Sequence, residues 1–239
     1  MKKNHFIINT FLLTLLFCGQ VFASDEDKVK ELVTSLMGND TTIDSVRKTD
    51  YLDLYEIKIG KNIIYTDRDV NYYIAGHIIN AKTLFNYTNE KLLEASKAEI
   101  NTLPLNLAIK TTKGDGSRTL FAFEDPNCGY CKLLRKKMKD VDNVTVYTFM
   151  YNILNDSSWT LSRNIWCSKY PDIAFEDWMI NGKQPESAAP ECEDPNKIVY
   201  ELGKKMNISG TPTIFFLDGS SQQGVMEIDA LEKKWASIK

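Results

Sequence analysis

The stretch Thr119-Leu120-Phe121-Ala122-Phe123-Glu124-Asp125-Pro126-Asn127-Cys128-Gly129-Tyr130-Cys131 decides the fold. Residues 119–123 form an apolar-rich run with no alternation, the pattern of a strand buried on both faces. Residues 124–127 break it with two acids, a proline and an asparagine. A strongly helical segment then starts at Cys128 and runs to about residue 139. A strand feeding a helix through so short a turn puts Cys128 at the helix tip. There, backbone N–H groups lack intrahelical partners, and the dipole favours negative charge on sulfur. The basic run Lys132, Arg135, Lys136, Lys137 and Lys139 adds positive potential, although most of it reads as a solvated helix face. Cys128 is therefore expected to be exposed and Cys131, one turn further in, to face the protein.

Two cysteines separated by two residues suit a metal knuckle or a disulfide that opens and closes. A zinc site needs two more ligands, but the other downstream thiols, Cys167 and Cys192, do not form a second close pair. No metal or other cofactor is expected. A cysteine hydrolase needs a histidine base, and only His77 lies beyond the first residues. Redox exchange fits best: Cys128 attacks as the nucleophile and Cys131 resolves the mixed disulfide. Cys167 and Cys192, if joined, close a loop that stabilises the fold by roughly 3.5 kcal/mol in the loop-entropy model. The four-residue ring of the first pair gains far less. The readings are thus one structural bridge and one reactive bridge, with two free buried thiols as the alternative for Cys167 and Cys192. A second marker is Thr211-Pro212-Thr213 before an apolar strand. A cis bond there leaves a backbone edge that can accept an extended chain.

The compartment follows from the first residues. Lys2 and Lys3 precede an apolar run from residue 6 to 17, with Val21-Phe22-Ala23 behind it. This is the pattern of a secretory signal peptide cleaved after Ala23, with a run shorter than the roughly 20 residues that span a bilayer. Cleavage removes Cys18 and leaves four cysteines, an even count suited to an oxidising compartment. The 239 residues are 43% hydrophobic and 26% charged, with formal charge −3. That composition excludes a disordered chain and a multi-span membrane protein, and it lacks the basic footprint of a nucleic-acid binder.

Outward from the motif, residues 24–37 read as a short amphipathic helix. Residues 51–59, 63–66, 72–75 and 77–79 read as β-rich runs separated by turns at 60–62 and 67–69. This small cysteine-free α+β unit, residues 24–80, is marginal alone and gains by pairing with a second copy. A connector, residues 81–115, holds a helix capped by Thr88 and stopped by Pro104, and ends in the turn Lys113-Gly114-Asp115-Gly116. Residues 116–239 form the second domain. It has the strand and helix described, a strand at 144–150, an aromatic-rich helical region at 156–181 and a helix at 196–206. A β-rich run at 213–217 then turns at Asp218-Gly219 toward 224–228, and a closing helix follows. The whole is an α/β layout with a mixed sheet. Trp159, Trp166 and Trp178 read as core, and His77 as a satisfied edge residue.

These residues resemble the bacterial periplasmic disulfide isomerases of the DsbC/DsbG type, within the thioredoxin-like superfamily. Residues 125–131 are similar to that family's active-site block. Ile165-Trp166-Cys167-Ser168 with Cys192 resembles its structural bridge, and Ser209-Gly210-Thr211-Pro212 its cis-proline loop. The resemblance implies a V-shaped homodimer around an apolar cleft, built from cystatin-like dimerisation domains, linker helices and thioredoxin-like catalytic domains with a helical insertion. It implies misfolded disulfide-containing secreted proteins as substrates, with Gly129, Tyr130, Thr211 and Pro212 contacting them, and a membrane reductase of the DsbD type as electron donor. Periplasmic dithiol oxidase and dimeric holdase chaperone are the alternative functions. One departure is visible: six residues before the nucleophile, where thioredoxin has a buried acid, stands Ala122, and Glu124 is the substitute read from the sequence.

Overall fold

The structure is a computed structural model that describes residues 24–38 and 40–238. The expected signal peptide, residues 1–23, lies outside the described residues. The described residues divide into two compact units, the first ending at Gly76 and the second beginning at His77.

In the first unit, helix α1 (Asp25–Met37) starts at Ser24, whose hydroxyl and backbone exchange hydrogen bonds with Asp27 in a reciprocal cap. Its Val29 and Val33 pack with Ile43, Tyr55, Ile57 and Val70. The sheet under it is antiparallel, in the order β1 (Ser45–Lys48), β2 (Tyr55–Ile59), β3 (Asn62–Thr66) and β4 (Tyr73–Ala75). Strand β1 escapes sequence reading because Ser-Val-Arg-Lys offers a single apolar side chain. Residues 77–79, expected as a strand, make only an isolated bridge between Ile79 and Asn86.

The second unit opens with α2 (Tyr87–Asn101), capped by the Asn86 side chain rather than by Thr88, which is buried within the helix. Strand β5 (Ile109–Lys113) falls in the stretch read as connector, but it pairs antiparallel with β7 and belongs to the sheet. There follow β6 (Arg118–Glu124), α3 (Gly129–Lys137), β7 (Val144–Met150) and α4 (Asp156–Trp166). Next come α5 (Pro171–Glu176), α6 (Asn196–Lys205), β8 (Thr213–Phe215), β9 (Ser221–Gln223) and α7 (Ile228–Ser237). The sheet order is β5-β7-β6-β8-β9, with β6 and β7 parallel and the other pairs antiparallel. The return strand is thus residues 221–223 rather than the expected 224–228. The helical region 156–181 is interrupted: α4 ends at the disulfide-bonded Cys167, and Pro171 starts α5.

The central strand explains its own composition. Leu120 and Ala122 pack with Leu134, Met138, Leu231 and Trp235 on the face covered by α3 and α7. Phe121 and Phe123 pack on the other face with Ile100, Phe149, Val199 and Met206. Fully burying a side chain such as Phe123 is worth about 1.5–3 kcal/mol, so both faces drive closure. The period of two also puts Glu124 on the same face as Ala122, toward α3.

Candidate active site

Cys128 is the N-cap of α3. Its sulfur accepts the Cys131 backbone N–H at 3.4 Å, taking the place that a serine or aspartate oxygen fills at other helix starts. The bond satisfies one of the N–H groups that the first turn of α3 leaves without an intrahelical partner. On the other side, the Cys128 thiol donates to the Thr211 carbonyl at 3.2 Å. The Thr211–Pro212 bond is cis, as expected, and the Pro212 carbonyl is taken by the Gly224 N–H at 2.7 Å. The Thr211 hydroxyl is buried without a hydrogen-bond partner. Both cysteines of the motif are free thiols.

One expectation is corrected here. Cys128 is 5% exposed, not openly exposed, because its side chain folds back onto the Thr211 carbonyl. The open surface beside it belongs to Gly129 and Tyr130, the latter 67% exposed. Cys131 faces inward as expected, fully buried among Ile109, Met150, Leu161 and Phe175. Burial, and after it the negative charge of Glu124, push the Cys131 thiol well above the ordinary thiol range. Cys131 is thus held protonated.

The turn before Cys128 is fastened by a fully buried carboxylate. Asp125 Oδ1 accepts the Asn127 N–H at 2.8 Å and the Ser158 hydroxyl at 2.7 Å, while Oδ2 accepts the Ile153 and Leu154 N–H groups at 2.9 and 3.1 Å. The Asp125 carbonyl accepts the Cys128 N–H at 2.9 Å. Trp178 donates its indole N–H to the Pro126 carbonyl at 2.7 Å, and the Lys132 ammonium lies 4.0 Å from its ring centroid. Trp178 is therefore a partly buried neighbour of the core that also braces the active loop, a role its composition did not reveal. Arg135, read as part of a solvated basic face, is instead 4% exposed and bonds Glu124 and Thr148. The i, i+4 spacing of Cys131 and Arg135 on one helix face was the available signal. Ala122, 1% exposed, carries no acid at thioredoxin's position, and Glu124 is the fully buried carboxylate of that strand face.

Cys167 and Cys192 form a disulfide, with Arg163 Nη2 donating to the carbonyls of Ala189, Pro190 and Cys192. His77 is exposed and paired with Asn86. Among the described residues, no group of three or more His, Cys, Asp or Glu side chains is placed to hold a metal, and no helix is long and apolar enough to cross a membrane.

Residues 105–238 match the family model of a thioredoxin-like domain, and residues 20–89 that of the disulfide bond isomerase protein N-terminal domain. The chain is 43% identical over 209 residues to the probable thiol:disulfide interchange protein DsbC of Bordetella parapertussis, covering 87% of this chain and 73% of that one. It is 24% identical over 220 residues to the thiol:disulfide interchange protein DsbC of Escherichia coli K12, covering 89% of each. A disulfide interchange protein of Neisseria gonorrhoeae superposes with a TM-score of 0.54 at 32% identity, over 56% of this chain and 96% of that chain.

Proposed function

This chain belongs to the DsbC family of thiol:disulfide interchange proteins, and from that premise we propose that it rearranges incorrect disulfides in secreted proteins, with Cys128 as the attacking sulfur. The Cys128 thiolate attacks one sulfur of a substrate disulfide. The other substrate sulfur leaves as a thiolate, and a mixed disulfide joins Cys128 to the substrate. A different substrate thiol then attacks the bound sulfur, which creates a new pairing and frees Cys128. Alternatively Cys131 attacks Cys128, the substrate leaves reduced, and the Cys128–Cys131 disulfide is returned to dithiol by a membrane donor of the DsbD type.

The observation that carries this reading is the position of the Cys128 sulfur between the Cys131 N–H and the Thr211 carbonyl. A sulfur held there stands at the helix tip, adjacent to backbone that an extended substrate can pair with. Gly129 and Tyr130 supply the open surface on which that substrate rests. Residues 24–80 are the pairing unit of a homodimer. In support, the edge strand β4 is exposed on both faces, with Tyr72, Tyr73 and Ile74 outward. An exposed apolar edge of this kind is a template for a second copy. The protein works in the periplasm, where the Cys167–Cys192 bridge persists. Recovery of activity from scrambled ribonuclease tests the assignment. Cys128→Ser should abolish it, and full recovery with that variant refutes the reading.

A further inference from the structure

Most charges packed around the active loop are already committed. Glu124 is ion-paired with Arg135, and Asp125 spends its carboxylate on four donors inside the protein. Glu176 of α5 pairs with Lys113, and Asp177 just beyond it with Lys183. Asp156 and Asp172 stand in the first turns of α4 and α5. On α3, Lys137 pairs with Glu227, but Lys132 has no ion-pair partner among the described residues. Its ammonium instead lies 4.0 Å from the centroid of the Trp178 ring, where the aromatic face attracts a cation. Trp178 lies in the wide π-turn Asp177–Asn181, a rare geometry that recurs at functional sites. Its indole N–H on the Pro126 carbonyl, at 2.7 Å, fixes the ring against the active loop. The backbone agrees with this placement. The Lys132 N–H donates to the Cys128 carbonyl at 3.1 Å, one helical turn away, and helix side chains lean back toward the N-terminus. The lysine stem therefore points toward the tip that carries Cys128. Lys132 and Trp178 are only partly buried, so the charge sits at the rim of the loop.

We propose that Lys132, seated on Trp178, selects substrates that carry a carboxylate side chain beside the cysteine under attack. This rests on the exchange chemistry assigned to Cys128. The substrate acid meets the uncommitted ammonium, while apolar neighbours of its cysteine rest on the exposed Tyr130 and Leu133 of the same helix. The ring holds the lysine in place before the substrate arrives, so less freedom is lost on binding. A charge at the rim acts on the rate of encounter more than on the chemistry that follows. The sulfur exchange itself is unchanged: Cys128 still displaces one substrate sulfur from the other. Lys136 and Lys139 also lack ion-pair partners among the described residues. They begin about two turns away from Cys128, so their charge reaches an arriving cysteine more weakly.

The test uses the reduced full chain carrying Cys131→Ala, so that one peptide adduct forms and stays on Cys128. Three disulfide-linked peptides, identical except for Glu, Gln or Lys beside the cysteine, are mixed with it at low salt. Adduct formation is timed by acid quench and mass spectrometry. The intrinsic reactivity of each peptide cancels when its rate is compared between protein variants. A unit charge about 7 Å from another in water changes a rate about three-fold, so Lys132→Gln should lower the Glu-to-Lys rate ratio about seven-fold. The Gln peptide should react alike with both proteins. In about 0.5 M salt the difference between the two proteins should close. Lys136→Gln should move the ratio by less than about two-fold. Trp178→Leu, which keeps the charge but removes its seat, should give a ratio between those of the parent and Lys132→Gln. A Lys132→Gln ratio equal to the parent's overturns the proposal, as does an equal fall in Lys136→Gln or a difference that persists in high salt. A parent-like ratio in Trp178→Leu overturns the seating on the ring. Failure of all three peptides to form an adduct on Cys128 would instead refute the exchange chemistry itself.

Discussion

Replacing Asp125 with asparagine changes shape least and hydrogen bonding most. The carboxylate accepts four bonds and is fully buried. An asparagine places its oxygen best toward the Ile153 and Leu154 N–H groups. Its NH2 then faces Ser158, whose hydroxyl can rotate to accept, and the Asn127 N–H, which cannot. One backbone donor is orphaned, at a cost of about 2 kcal/mol, and the two remaining backbone bonds lose their charge at about 1 kcal/mol each. The expected destabilisation is about 4 kcal/mol. It is measurable by guanidinium unfolding followed by tryptophan fluorescence, because all four tryptophans lie in the second unit. The Asn127 N–H belongs to the turn that delivers Cys128, so thiol reactivity at Cys128 should fall in the same variant. A loss below 1 kcal/mol with unaltered reactivity would refute the claim that Asp125 fastens the active loop.

Two further outcomes are expected. Converting Cys167 and Cys192 together to alanine opens a loop of sequence separation 25 and should cost roughly 3.5 kcal/mol, read as a lower unfolding midpoint with adduct formation at Cys128 retained. At Asp218, burial opposes ionisation, but hydrogen bonds from Lys234 and Ser220 outweigh it and hold the carboxyl below its ordinary range. The stability this contributes is present above the unfolded value of about 3.9 and lost as pH falls through the lower folded value. Asp218→Asn should therefore be less stable than wild type at pH 7, with the gap closing in thermal melts as pH falls below the unfolded value of about 3.9.

What was legible in the sequence was what local pattern encodes. The apolar run ending at Glu124 marked a doubly buried strand, and the two-residue spacing of Cys128 and Cys131 marked exchange chemistry. Thr211-Pro212 marked the ledge that the structure brings to within 3.2 Å of the Cys128 sulfur. What stayed hidden depended on contacts between distant elements. Strand β5, Ile-Lys-Thr-Thr-Lys, has a single apolar side chain and is a strand only because β7 offers it an edge. Arg135 looks like its lysine neighbours until the facing strand supplies Glu124 and Thr148. Asp125 looks like a strand breaker until the Ile153–Leu154 backbone closes over it. The burial of Cys128 likewise depends on a loop more than eighty residues away.

The account stands most directly on which sulfur joins the substrate. Reduced Cys131→Ala protein mixed with a disulfide-bonded peptide, quenched with acid and mapped by mass spectrometry, should carry one peptide on Cys128, released by reductant. A Cys128 that stays free while substrate disulfides are still exchanged, or an adduct on another cysteine, would contradict it.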